Sequence, residues 1–126
     1  MKKKLFALML AALLLLSATA FAASRASTVF SSATVSLSSG KTATFNATAS
    51  SYSSSISVTS VRLYVKTGDT WTYARSLPAP ATTSSGLTFR ASKDYSAYIS
   101  SGTYRINATF SADAGTVTRV SNTVTY

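Results

Sequence analysis

The chain of 126 residues predicts an all-β fold, an antiparallel sandwich or small barrel of about seven strands behind a cleavable leader. Three observations carry that expectation. From Thr34 onward, Val, Leu, Ile, Phe and Tyr alternate with Ser and Thr in runs of roughly five to ten, the period of a strand with one buried face. Gly, Pro and Ser breakers separate the runs at roughly 8–12-residue intervals. Beyond Leu16 no capped apolar stripe of helical period occurs. Ser and Thr supply about 41 of the roughly 104 residues after the leader, which by count alone looks like low complexity. Their alternation with branched and aromatic residues makes them a strand signal instead, because Thr itself fits a pleated surface.

The leader comes first. Met1-Lys2-Lys3-Lys4 is a positive n-region, Leu5 to Leu16 is apolar, and Ser17-Ala18-Thr19-Ala20-Phe21-Ala22 ends in small residues at the positions a signal peptidase reads. The apolar run falls short of the roughly 20 residues a membrane span needs. Cleavage is therefore expected after Ala22, giving a signal peptide over 1–22, a flexible N-terminal segment over 23–33 and one domain over 34–126. No second apolar stretch follows, so the mature form is expected to be secreted without a membrane anchor. The formal charge of +9 becomes about +6 once the three leader lysines are gone. The chain has no Cys, so stability has to come from packing, which a domain of this size can supply without disulfides.

Element by element, Thr34 to Leu37 places Val35 and Leu37 inward, and Ser38-Ser39-Gly40 turns the chain. Lys41 to Ala49 follows with Ala43, Phe45, Ala47 and Ala49 inward. Ser50 to Ser55 reads as a flexible connection. Ile56 to Lys66 buries Ile56 and Val58, then Val61, Leu63 and Val65, with the parity change near Thr59-Ser60 read as a bulge. Gly68-Asp69 turns into Thr70 to Leu77, which Pro78-Ala79-Pro80 terminates. Leu87 to Ala91 is a short strand, and Asp94 to Ser101 connects it onward. Thr103 to Ser111 has Tyr104, Ile106, Ala108 and Phe110 on one face and Arg105, Asn107 and Thr109 on the other. After the Ala112-Asp113-Ala114-Gly115 loop, Thr116 to Tyr126 changes parity once.

Ser101-Gly102-Thr103-Tyr104-Arg105-Ile106 resembles the start of strand F in immunoglobulin-like domains, where a tyrosine bonds back to the preceding corner. The resemblance implies an immunoglobulin-like β-sandwich with Tyr104 as its structural tyrosine corner. Strands A, B, C, C′, E, F and G would then start at Thr34, Lys41, Ile56, Thr70, Leu87, Thr103 and Thr116. Ile106 stands where antibody domains carry a cysteine, and the strand C tryptophan is absent. The leader, the Ser/Thr-rich domain and the Leu-Tyr-Val-Lys-x-Gly-x-x-Trp hairpin also resemble small secreted proteins of Gram-positive bacteria with domains of unknown function. That resemblance implies location and fold, and no activity.

Composition narrows the chemistry. The only acids are Asp69, Asp94 and Asp113, and there is no His or Cys, so no acid–base pair, thiol nucleophile or Cys/His metal site is expected. A serine nucleophile would have only Lys as its base, and in so hydroxyl-rich a chain such adjacency is uninformative. The expectation is a protein that is not an enzyme and carries no cofactor. Asn46-Ala47-Thr48 and Asn107-Ala108-Thr109 match the N-glycosylation pattern, but are more simply outward polar positions.

One region is distinctive. If Gly68-Asp69 is a two-residue loop, Lys66 pairs with Trp71, Tyr64 with Tyr73 and Arg62 with Arg75, and all six share an outward face. With Arg105 from the neighbouring strand this forms a candidate binding face of Arg62, Tyr64, Lys66, Trp71, Tyr73, Arg75 and Arg105. If the loop is Thr67-Gly68-Asp69, the register slips by one and Trp71 and Tyr73 become core, with Arg75 forced to snorkel. The expected function is that of a secreted binding or interaction module at or outside the bacterial cell surface, with a cell-wall polymer, glycan or another surface protein as partner. Alternatives are a self-associating envelope or matrix component, or a carbohydrate- or anionic-polymer-binding module. Nucleic acid is not expected as a partner, since no known binding motif or dense basic run accompanies the export signal.

Overall fold

The structure, a computed structural model, describes residues 28–126; the expected signal peptide and residues 23–27 of the expected N-terminal segment lie outside the described residues. The described chain is all-β, with seven antiparallel strands: β1 (Phe30–Leu37), β2 (Thr42–Thr67), β3 (Thr70–Leu77), β4 (Thr83–Asp94), β5 (Thr103–Ala112), β6 (Gly115–Val120) and β7 (Val124–Thr125). β1 starts at Phe30, earlier than the alternation indicates, because that ring is only 2% exposed and Phe30 pairs with Ala49.

β2 organises the fold. Its first half runs between β1 and β4, with Phe45 opposite Val35 on one side and Ala91 on the other. Its second half runs between β3 and β5, with Leu63 opposite Arg75 and Ile106. The two expected strands are thus one strand of 26 residues, and Ser50 to Ser55 is extended rather than a loose connection. Side chains hold it there. Buried Ser53 accepts the Asp113 N–H at 2.9 Å and donates to the Ser55 carbonyl at 2.9 Å. The Asp113 carboxylate in turn accepts the Ser54 N–H at 2.7 Å and its hydroxyl at 2.8 Å. These bonds satisfy polar groups that apolar alternation leaves unaccounted for. The expected bulge is present, since pairing with β5 skips Thr59 between Val58 and Ser60.

Both halves close on one core. Phe110 of β5 makes edge-to-face contacts with Phe30, Phe45 and Phe89, at ring-centroid distances of 6.2, 6.4 and 6.4 Å. Ala43, Ala47 and Ala49 on the same side of β2 keep the backbone close enough for those rings to interdigitate. Burying each Phe side chain contributes about 1.5–3 kcal/mol. β4 extends beyond the expected Leu87 to Ala91 to cover this core, with Phe89 inward.

The corner between β4 and β5 is held by two tyrosines with different jobs, Tyr95 within it and Tyr104 on β5. Tyr95 is fully buried and donates its hydroxyl to the Pro78 carbonyl at 2.7 Å; burial, with Tyr98 nearby, pushes its phenol well above the usual range. Tyr104 shares a hydrogen bond of 3.1 Å with Ser100 and donates to the Ser101 carbonyl at 3.4 Å. Gly102 permits this: its φ is +140°, and a Cβ there would lie 3.1 Å from the Tyr104 ring.

The last expected strand divides into β6 and β7 around Ser121-Asn122. The Ile106 N–H donates to Ser121 Oγ at 2.9 Å, and the Ser121 N–H returns to the Ile106 carbonyl at 2.8 Å. Asn122 accepts the Leu37 N–H at 2.8 Å and donates to the Leu37 carbonyl at 2.9 Å, so its amide pairs with β1 as a strand residue would.

Candidate binding face

The β2–β3 turn decides the site. Gly68 has φ of +63° and is followed by Asp69 at negative φ, the arrangement of a II′ turn, and Thr67 pairs with Thr70 across it. Lys66 then pairs with Trp71 and Tyr64 with Tyr73. The two-residue register therefore holds through the first half of β3, and Trp71 is not core: it is half-buried, while Tyr73 is 51% exposed.

The register then shifts. Ala74 is an extra residue, after which Arg75 pairs with Leu63 rather than Arg62, and Leu77 pairs with Val61. The bulge turns Leu77 inward, where it is buried, and carries Arg75 off the candidate face. The Arg75 guanidinium instead sits 4.8 Å from the centroid of Tyr98, at the corner after β4. The expected pairing of Arg62 with Arg75 is thus replaced, because burying Leu77 beside Val61 outweighs keeping the alternation unbroken.

The remaining residues assemble on one face. Tyr64 lies between Tyr73 on β3 and Arg105 on β5, and Arg62 lies beside Asn107. Tyr64 and Tyr73 meet edge to face at 5.8 Å. Arg62 sits 6.0 Å from the Tyr73 centroid, and Arg105 reaches across β2 to lie 4.2 Å from the Trp71 centroid. That last contact joins strands that are not neighbours, and only the strand order β3-β2-β5 brings it about. Arg105 Nε is buried without an acceptor, so the guanidinium is held by the indole rather than by a carboxylate. Beside this cluster Ser60, Arg62, Tyr64, Asn107, Thr109 and Thr118 line a hollow of about 360 Å³, and the Asn107 Oδ1 next to it also lacks a partner.

The acids stand elsewhere. Asp113 is bound to Ser54 and Asp94 to the Ser96 N–H at 2.8 Å, and those bonds hold both carboxyls below their ordinary range. Asp69 lies in the turn beyond Lys66. The face thus presents Arg62, Lys66 and Arg105 as cations, two of them seated on aromatic rings. No cluster of His, Cys, Asp or Glu suited to a metal ion occurs among the described residues.

The comparisons with known proteins supply no relative: no family matches the chain, and no curated protein or solved structure is significantly similar to it.

Proposed function

We propose that this chain is a secreted, non-enzymatic binding module with an immunoglobulin-like β-sandwich, acting at or outside a bacterial cell surface through the outward face of β3, β2 and β5. One observation carries the site: Arg62, Tyr64, Lys66, Trp71, Tyr73 and Arg105, drawn from three strands, gather on one exposed face of a chain whose exposed strand positions are otherwise mostly Ser and Thr. Aromatic and Arg side chains are the types that dominate binding energy at interfaces.

The fold reading is supported by the strand groups. β1, the first half of β2 and β4 take the places of A, B and E, while β3, the second half of β2, β5 and β6 take those of C′, C, F and G. The Tyr104 hydroxyl bonded to Ser101 is the contact a tyrosine corner makes. The self-association alternative draws on β3, which pairs only with β2 among the described residues. Its bulge at Ala74 and the exposed Arg75 are the devices that discourage a second strand from docking, which favours binding over self-assembly.

The test is retention of the purified protein on cell-envelope fractions, compared with a Lys66→Ala/Trp71→Ala variant. The wild type is retained and the variant released if the face binds. Equal retention of the two would place binding elsewhere, and no retention of either would defeat the proposal.

A further inference from the structure

Resting on that reading, we infer that the face takes a linear phosphodiester polymer without bases, gripped by Arg105, Arg62 and Lys66. A sugar platform needs a free ring face, and one face of the Trp71 ring already carries the Arg105 guanidinium at 4.2 Å. Tyr73, though half exposed, meets Tyr64 edge to face and has Arg62 at 6.0 Å, so a cation accompanies this ring too. Both rings act as rigid supports that hold cations in place. A guanidinium fixed on an indole keeps its charge and its outer N–H edge for a planar fit to phosphate oxygens.

Of the three acids, Asp113 and Asp94 are engaged with Ser54 and Ser96, which leaves Asp69 in the turn as the one beside these cations. Arg62 and Lys66 lie four residues apart on β2, roughly 14 Å, and Arg105, whose backbone is opposite Tyr64, carries its guanidinium across β2 to Trp71, the residue paired with Lys66. The three cations are therefore spread along the second half of β2, where a flexible chain with one charge per repeat can meet them. A single-stranded nucleic acid would add base stacking on free aromatic faces, and the two rings best placed for it each already carry a cation. Charge complementarity thus favours a base-free polyanion over a neutral glycan or an oligonucleotide.

The experiment titrates the purified protein with a short poly(glycerol phosphate), a neutral N-acetylglucosamine oligomer and oligo(dT). Trp71 fluorescence and calorimetry report binding, since Trp71 is the only tryptophan. Poly(glycerol phosphate) should bind, with Kd rising roughly 20-fold between about 50 and 200 mM salt, as three phosphate contacts at single-strand slopes predict. Arg105→Gln should weaken it several-fold and flatten the salt slope by roughly a third. Arg105→Lys should keep the slope but lose the Trp71 signal. Arg90→Gln, on the opposite half, should change little. Thermal melts check that each variant is folded. Salt-insensitive binding of the neutral oligomer, or oligo(dT) binding as tightly as poly(glycerol phosphate), would overturn the polymer class while leaving the binding face in place. The same follows if no phosphate polymer binds but Lys66→Ala/Trp71→Ala is still released from envelope fractions. Phosphate binding that falls equally in Arg105→Gln and Arg90→Gln would reflect net charge alone and overturn both readings.

Discussion

The two halves of β2 share one backbone and one core but face solvent differently. Between β1 and β4 the outward positions are Thr42, Thr44, Asn46 and Thr48, opposite Thr34, Ser36, Thr88 and Ser92, with Arg90 the one cation in those rows. Between β3 and β5 they are Arg62, Tyr64 and Lys66. Inward, both halves are alike, with Phe45 and Leu63 each almost fully buried. Hydroxyls are therefore the default solvent coat of this protein, and the departure from them marks the site. A larger hollow of about 480 Å³ lies on the hydroxyl half, which shows that concavity alone does not distinguish a site here.

The comparison breaks most severely at Phe110, where the halves meet. Phe110→Ala should cost about 3–5 kcal/mol in equilibrium denaturation, a large share of a domain's stability. Trp71 fluorescence and far-UV circular dichroism should still lose structure together; separate transitions would mean that the halves fold independently. Gly102→Ala should cost about 1–3 kcal/mol, because it combines an unfavourable φ with a clash against Tyr104.

Alkaline pH tests the buried tyrosine that follows β4. The Tyr95 phenol is raised by burial, so above about pH 10 the unfolded chain ionises while the folded chain does not. Stability should fall as pH rises beyond that point, and Tyr95→Phe should flatten the decline while losing about 1 kcal/mol at neutral pH with the Pro78 bond. Acid tests the Asp113 brace: with its carboxyl held low, its contribution is complete above the ordinary value of 3.8 and is lost as pH falls through the lowered one. Asp113→Asn should remove that acid-limb sensitivity in a pH series of melts.

The surface effects are smaller. A double-mutant cycle of Trp71→Ala and Arg105→Gln should return a coupling of about 0.5–2 kcal/mol, measured by urea denaturation. Thr44→Ala on the hydroxyl half should stay within about 0.5 kcal/mol. A coupling of zero would remove the indole as the support for Arg105.

The inward residues and the Thr59 bulge were legible because each has a local cause, alternation and a parity change, whereas the turn near Gly68 was legible only as a choice between two registers. The Ser53 and Ser54 bonds to Asp113 were not, since they join residues far apart in sequence and leave Ser50 to Ser55 looking like a linker. Arg75 was misplaced for a related reason. Its face depends on a bulge that Leu77 demands, and nothing local at Ala74 announces it. The Arg105 to Trp71 contact spans β2 and requires the strand order before it can be foreseen.

The Asn122 amide has a consequence for the order of assembly. It ties the last strands to Leu37 across 85 residues of sequence, so β1 gains this partner only when nearly the whole chain is present. Such distant closures are slow to form. The edge of β1 at Leu37 is therefore completed late, by the Asn122 amide rather than by pairing with its neighbour in sequence.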